Sequence, residues 1–289
     1  MSPQRITPKV IVETEYFGSN NSIVVGSEGL VLIDSPHCLS DAKKWRKYAE
    51  QFGEIRFVVN SDHHPDHTIG NFVMPGDVVG HIDTRERLLS SEAPSREYLV
   101  DLMKRIDPIS VSIFENEYQV RAPNIVFDSK MDIHLGDSFV ELTHRPGHTR
   151  NSVITYFAED KVIFSGDIVC EAGLPSFQDS KIVDWFDALD AVDCYDYVYV
   201  VPGHGEVTDR AGVQRYRELG RQVVTQVAER INRGHELQQV AEEIRFEDNI
   251  HVATDSCAGY SDDMINIFQL RSISRIYQDL QETPDLVSR

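Results

Sequence analysis

Short apolar runs separated by glycines fill the first part of the chain. Runs of this length, rich in β-branched residues and bounded by turn residues, predict strands. The predicted strands are Val10–Glu15, Ser22–Val25, Leu30–Asp34 and Ile55–Asn60. Between the last two, Ser40 and Asp41 open a polar–apolar pattern that predicts a helix through about Phe52.

The second half of the chain repeats this alternation. It predicts strands at Met131–Leu135, Ser138–Thr143, Ser152–Phe157, Lys161–Ser165 and Tyr197–Val201, with a helix near Lys181–Val192. Strands and helices that alternate twice predict an α/β fold, the αβ/βα sandwich, in which two sheets lie face to face with helices outside. We interpret residues 1–289 as a single domain of this four-layer class.

Two helical regions complete this prediction. The segment from about 83 to 117 is mixed in charge and interrupted by two prolines, which indicates a helical insert. From about 208 to 289 the chain is expected to be helical, with two apolar stripes that we expect to face the core. The stripes are Val213, Tyr216, Leu219, Val223, Val227 and Ile231, then Met264, Ile267, Leu270, Ile273, Tyr277 and Leu280.

Composition narrows the classes of function. The chain has 41% hydrophobic residues, enough for a core, and 47 acidic against 28 basic residues, a net charge of −19. The acidic excess argues against nucleic acid and anionic membranes as partners. Four scattered cysteines form no disulfide framework, and no basic segment followed by an apolar run opens the chain, so a cytoplasmic setting is expected. Whether the chain forms a homo-oligomer stays open.

Potential metal ligands crowd the loop that follows the predicted strand Ile55–Asn60. They are Asp62, His63, His64, Asp66 and His67. Three further segments place a histidine or an aspartate beside a glycine at the end of a predicted strand. They contribute His148, Asp167 and His204. Because α/β proteins build their sites at the carboxyl ends of strands, we expect these side chains to converge.

In their order, these motifs resemble the signature of the metallo-β-lactamase-fold superfamily, H-x-H-x-D-H followed by a distal His, a bridging Asp and a last His. The resemblance runs from the N-terminal strands to Gly205 and implies a metal-dependent hydrolase with two divalent ions. Zn²⁺ is the ion that it favours. It implies one metal on Asp66, His67 and His204, a second on Asp62, His64 and His148, and Asp167 as the bridge. His63 is expected to be an outward-facing loop residue.

The sequence departs from that signature at Asp62, which stands where the family has its first histidine. If Asp62 is a ligand, a harder oxygen donor replaces an imidazole, which brings Mn²⁺ or Fe²⁺ into consideration beside Zn²⁺. If it is not, the site holds one metal, on Asp66, His67 and His204.

Two divalent cations about 3.5–4 Å apart can share a hydroxide and polarise a carbonyl or phosphoryl oxygen. The expected substrate is a small molecule with an ester, lactone, thioester or amide bond. Asp66 is the candidate catalytic residue, which orients the hydroxide or returns a proton to the leaving group. Asp34 is expected to support one of the ligand imidazoles. His37, Leu174 and Phe177 are the candidate substrate contacts.

Three alternatives remain. One is a mononuclear iron oxygenase, similar to the persulfide dioxygenases of the same fold. Another is a nuclease, which the charge disfavours. The third is a binding module that has lost part of its metal site, as Asp62 could indicate. Nucleophilic serine chemistry and nucleotide binding are disfavoured because the sequence has no G-x-S-x-G elbow and no phosphate-binding loop.

Overall fold

Two mixed β-sheets form the centre of the molecule in the computed structural model, which describes residues 3–171, 177, 179–245 and 262–283. Within these residues the first sheet has seven strands: β1 Gln4–Arg5, β2 Val10–Glu13, β3 Asn21–Gly26, β4 Gly29–Ile33, β5 Ile55–Val59, β6 Asp77–His81 and β7 Ile125–Phe127. They pair in chain order, antiparallel from β1 to β4 and parallel from β4 to β7.

The second sheet follows in the chain. Its five strands within the described residues are β8 Lys130–His134, β9 Phe139–His144, β10 Val153–Phe157, β11 Val162–Cys170 and β12 Tyr199–His204. Neighbours are antiparallel except for β11 and β12, which run parallel.

Helices cover the outer faces of both sheets. They are α1 Leu39–Ala49, α2 Pro65–Thr68, α3 Ile82–Leu89, α4 Arg96–Ile106, α5 Val111–Asn116, α6 Ile182–Asp193, α7 Arg210–Asn232, α8 Leu237–Glu243 and α9 Asp262–Glu282, with short 3-10 helices at Ile69–Val73 and Pro108–Ser110. The predicted αβ/βα sandwich with C-terminal helices is therefore confirmed. None of the described helices combines the length and the apolar character needed to cross a membrane.

The main cores lie between and outside the sheets. Val31 of the first sheet and Leu142 and Phe164 of the second belong to the apolar layer between them. Trp45 of α1 is fully buried on the outer face of the first sheet, and Trp185 of α6 is buried on the outer face of the second. Fully burying a valine, leucine or phenylalanine side chain such as those between the sheets stabilises the fold by about 1.5–3 kcal/mol.

The segment expected to be a helical insert, 83–117, has its own small core. Phe114 of α5 and Met103 of α4 are fully buried in a cluster that also contains Leu39 and Ile69. A carboxylate oxygen of Asp107, just after α4, accepts the backbone N–H of Ser40 in the first turn of α1 at 3.1 Å. The insert is thus packed on α1 and on the loop that follows β5.

The two C-terminal stripes differ in outcome. On α7 the predicted core positions are buried or partly buried, so that stripe is confirmed. On α9 the prediction is wrong for Ile267 and Leu270, which are 45% and 50% exposed. It is confirmed for Ile273 and Leu280, which are buried in the core outside the second sheet, and Tyr277 packs against that core. Ile276, which the predicted stripe leaves out, is fully buried as well. The side chain of Met264 lies outside the described residues.

The two sheets meet at one edge, where the strands that carry the motifs end. The backbone N–H of Val153 donates to the carbonyl of Ser61 at 2.8 Å, and the N–H of Asn20 donates to the carbonyl of Gly203 at 2.7 Å. These bonds join the loop after β5 to β10, and the loop before β3 to β12. The edge is therefore fixed by backbone bonds between segments that are distant in the sequence.

Candidate metal centre

Asp62, His64 and His148 form a first cluster of donor atoms, called group one below. One donor atom from each residue lies within 4.8 Å of the others. Nδ1 of His64 lies 3.1 Å from Nε2 of His148 and 3.3 Å from Oδ2 of Asp62. The other oxygen of Asp62 accepts the backbone N–H of His64 at 2.7 Å, which holds that carboxylate in place.

Asp66, His67 and His204 form a second cluster, group two, with donor atoms within the same 4.8 Å. Asp66 and His67 sit on the single turn of α2, and His204 ends β12. Oδ2 of Asp66 lies 3.3 Å from Nε2 of His204. His67 is fully buried. A turn of helix at the end of a buried strand thus delivers two donors to one point, and a strand of the other sheet delivers the third.

Asp167 lies between the two groups. Its Oδ2 is 3.4 Å from Nε2 of His148 in group one and 3.3 Å from Nε2 of His204 in group two. Gly203 makes room for it, because a Cβ at that position would stand 1.8 Å from Oδ1 of Asp167. The backbone of β12 can approach Asp167 this closely only with glycine there.

The residues fit divalent cations. Nε2 of His67 and Oδ1 of Asp167 are buried and make no hydrogen bond with any described residue, although they lie 3.3 Å apart. Orphaned buried polar atoms are costly. The carboxylates of Asp62, Asp66 and Asp167 share this buried site, where unpaired negative charge is more costly still. Divalent cations would satisfy the orphaned atoms and balance the charge.

Electrostatics of the side chains agree with that fit. Burial alone would lower the pKa of His204, but the carboxylates of Asp167 and Asp66 raise it to about 10. Burial alone would raise the pKa of Asp62, but the neighbouring histidines, first His64, hold it well below its usual range. The first shift shows that the carboxylates favour positive charge at His204, and the second keeps Asp62 in its ionised form.

Asp34 supports His67, as the sequence predicts. Oδ2 of Asp34 lies 2.9 Å from Nδ1 of His67. The hydroxyl and the backbone N–H of Ser61 also donate to Asp34, both at 2.7 Å. This carboxylate therefore orients the ring so that Nε2 faces group two. Its backbone has a φ of 58°, a left-handed conformation that aspartate tolerates better than most residues.

The other predicted residues lie in different places. His63 belongs to neither group: its Nδ1 lies 3.2 Å from the side-chain oxygen of Asn151, and burial lowers its pKa to about 4. Phe177 is 1% exposed, and its ring packs on Trp185 in the core outside the second sheet, so its ring builds core rather than an open pocket wall. Leu174 lies outside the described residues.

His37 lies beside group two. Its ring stacks on Phe17, with centroids 5.7 Å apart, and is 7% exposed. A Cβ on Gly18 would touch both His37 and Asp66 at 2.8 and 2.9 Å, so the two side chains flank this glycine. Neither ring nitrogen of His37 has a hydrogen-bond partner among the described residues.

Two residues near the site carry no sequence signal that predicts them. Nε2 of His64 lies 3.0 Å from Oδ2 of Asp179, and the hydroxyl of Ser180 donates to the backbone carbonyl of His148 at 3.0 Å. Both follow a loop that has no motif, so only the tertiary structure reveals the contacts.

Comparisons with known proteins agree with this geometry. The model of the metallo-beta-lactamase superfamily matches residues 16–204. The acyl-coenzyme A thioesterase MBLAC2 of Bos taurus is 31% identical over 101 residues, 34% of this chain and 32% of that protein. The metallo-beta-lactamase type 2 of Pseudomonas aeruginosa is 23% identical over 193 residues, 63% of this chain and 68% of that protein.

The match to the thioesterase thus spans about a third of that relative's length. A solved metallo-beta-lactamase from Pontibacter korlensis superposes with a TM-score of 0.56 at 20% identity, over 74% of this chain and 95% of that one. At this identity the likeness supports the fold. Since the family model covers more than half of the chain, including all seven clustered side chains, the chain belongs to the metallo-beta-lactamase superfamily.

Proposed function

We propose that this chain is a metal-dependent hydrolase that cleaves an ester, lactone, thioester or amide bond in a small molecule. It binds two divalent ions, of which Zn²⁺ is the favoured identity. The observation that carries the proposal is the pair of donor groups with Asp167 between them. A carboxylate oxygen 3.3–3.4 Å from a histidine of each group suits a bridge between two ions.

When bound, a pair of divalent ions lowers the pKa of water and polarises the oxygen of the scissile bond. The chain's own residues then have distinct tasks. In this proposal Asp66, whose side chain is 17% exposed, orients the attacking water and returns a proton to the leaving group. Asp34 holds the ring of His67, and Gly203 lets β12 approach Asp167.

His37 is the proposed substrate contact. Its buried ring nitrogens have no partner among the described residues, and His37 and Asp66 both lie beside Gly18. A polar group of the substrate that reaches His37 would satisfy one of these nitrogens. His37→Gln should therefore raise KM with a smaller effect on kcat, because binding rather than chemistry is altered.

Thioesters are the first substrates to try, since the curated relative of Bos taurus is an acyl-coenzyme A thioesterase. The panel pairs a short-chain acyl thioester with an aryl ester, a γ-lactone and a β-lactam. Elemental analysis of the purified chain runs alongside. Turnover that is lost with a chelator and restored by Zn²⁺ or Mn²⁺ supports the proposal.

Asp66→Asn is the decisive variant, because it keeps the shape and removes the group that moves the proton. It should lower kcat by about 10²-fold or more. Asp190→Asn is the matched control, an exposed carboxylate of α6 that pairs with Arg217 on α7, and it should not change kcat. A well-folded, metal-loaded chain that turns over none of the panel would contradict the proposal and favour a binding module.

An iron oxygenase is the second candidate. Each group offers two imidazoles and one carboxylate, the donor set that non-haem Fe²⁺ oxygenases use. Aerobic assays of the Fe²⁺-loaded chain with persulfide substrates would show oxygen uptake in that case. A hydrolase loaded with Fe²⁺ would show no oxygen uptake that depends on the persulfide substrate.

A further inference from the structure

The two ring nitrogens of His64 face different partners. Nδ1 points into group one, 3.1 Å from Nε2 of His148. Nε2 lies on the other side of the ring, 3.0 Å from Oδ2 of Asp179. An imidazole binds a metal through the nitrogen that carries no proton, and a carboxylate on the other nitrogen fixes that tautomer.

Asp179 itself belongs to neither donor group. Its side chain is 40% exposed, and its Oδ2 faces Nε2 of His64. As a carboxylate, it can accept the proton carried by that ring nitrogen. Among the described residues it meets the metal centre through the ring of His64 rather than by offering an oxygen to either group.

Ser180, the next residue in the chain, contacts His148, the other histidine of group one. The hydroxyl of Ser180 donates to the backbone carbonyl of His148 at 3.0 Å, and Ser180 is buried. Consecutive residues thus contact one histidine through its ring and the other through its main chain. We call Asp179 and Ser180 the histidine bracket.

Helix α9 anchors the bracket on both sides. The backbone N–H of Phe177 donates to the hydroxyl of Ser272 at 3.0 Å, and the N–H of Ile182 donates to a carboxylate oxygen of Asp279 at 2.8 Å. Ser272 and Asp279 are buried on α9. The bracket is therefore held by a helix that lies beyond residues 16–204, the part that matches the family model.

We propose that Asp179 is a positioning residue for metal binding at group one. It accepts a hydrogen bond from Nε2 of His64, keeps the proton on that nitrogen and leaves Nδ1 free to bind the ion. Ser180 and α9 keep this carboxylate in register with His148. The proposal rests on the proposed function only in requiring a metal at group one, and it does not depend on which bond is cleaved.

Metal affinity tests it without any substrate. The metal-free full chain and its variants are titrated with Zn²⁺ against a chromophoric chelator, so that the two sites give separate affinities. Asp179→Ala should weaken one of the two sites by about 10–100-fold, the usual effect of losing such a support, and leave the other site unchanged.

Asp179→Asn separates a positioning role from a structural one. Its side-chain oxygen can still accept the proton of Nε2, so affinity should recover in part even though the charge is gone. Histidine ¹H–¹⁵N spectra of the Zn²⁺-loaded proteins should show a protonated Nε2 and a metal-bound Nδ1 for His64 in the parent and in Asp179→Asn. In Asp179→Ala this signature should weaken through exchange.

Asp190→Ala is the matched control and should leave both affinities unchanged. If Asp179→Ala kept both affinities, or weakened both equally, the proposal would be overturned. Should that variant fail to fold, Asp179→Asn takes its place. Its two affinities and its His64 signature are then compared with those of Ser180→Ala, which should weaken the same single site. Because the titration uses no substrate, its result is independent of the hydrolysis assay. The role of Asp179 can be rejected while hydrolysis is found, and it can be supported while hydrolysis is not found.

Discussion

Asp34 lies 2.9 Å from His67, with Oδ2 of the carboxylate facing Nδ1 of the ring, although Asp34 follows β4 and His67 lies on α2. This pair links the end of β4 to the metal centre. Ser61 completes the arrangement by donating twice to the same carboxylate. The tautomer of a group-two ligand is thus set by a residue outside the donor groups.

Asp34→Asn should therefore weaken metal binding at group two. Asparagine tolerates the left-handed backbone at this position, so the fold should persist, but its amide cannot accept from Ser61 and His67 as the carboxylate does. We expect about 10–100-fold weaker binding of one Zn²⁺. Competition with a chelator measures it, and an unchanged affinity would contradict this role.

Asp167→Ala should abolish turnover and lower metal content while the fold stays intact. Asp167 faces both donor groups, whereas the apolar layers lie behind it between and outside the sheets. Elemental analysis and circular dichroism on the same sample check both parts. Parental turnover by a fully metal-loaded variant would reject the bridging role.

Asp62 distinguishes this chain from the usual ligand pattern. If it is a ligand, Asp62→Ala should release one metal and keep the one on group two, and Asp62→His should shift preference toward Zn²⁺ because an imidazole replaces a hard donor. Asp62→His should also lower the pH at which the activating water ionises, since one negative charge leaves the site. Equal metal content and superimposable pH–rate profiles in all three proteins would exclude the ligand role.

A stacked pair away from the donor groups gives a test by pH. The rings of His81 and His144 lie 3.7 Å apart at 19°. Burial, and then His144, lower the pKa of His81. Nδ1 of His81 accepts a hydrogen bond from the backbone N–H of Asp83, and Nε2 faces the carbonyl of Asp128. Because the folded-state pKa lies below the unfolded one, its stabilising contribution is complete above pH about 6.5 and is lost as the pH falls through the folded pKa.

His144→Gln removes the stacking imidazole and keeps a side-chain donor for the carbonyl of Arg150. The pKa of His81 should then rise, but not to its ordinary value, since burial remains. NMR titration of the imidazole signals measures this directly. A His81 pKa that is the same in both proteins would show that burial alone sets it.

The sequence predicts the fold and brings together the side chains of the candidate metal centre because both depend on local patterns. Strand runs place the loop after β5, and the ends of β9, β11 and β12, at one edge, so residues far apart in the chain converge there. Asp34 is predictable for the same reason, as it ends a strand beside that edge. Asp179 is not, because its contact with His64 depends on how α9 holds a loop without a motif.

Helix α9 shows a second limit. Its apolar spacing indicates a helix, and Ile273 and Leu280 of the predicted stripe are buried. Successive steps of three residues drift around the helix axis, so the stripe does not follow the buried face along the whole helix. Ile267 and Leu270 are exposed while Ile276 is fully buried. Phe177 is a similar case, since an aromatic residue in a loop near the site fits a pocket wall as well as a core.

Anomalous diffraction from crystals of the Zn²⁺-loaded chain tests the two-metal assignment most directly. The two-metal assignment predicts two anomalous peaks about 3.5–4 Å apart, with Asp167 between them. One peak should lie among Asp62, His64 and His148, and the other among Asp66, His67 and His204. A single peak at group two, with Asp62 turned away from any metal, would contradict it.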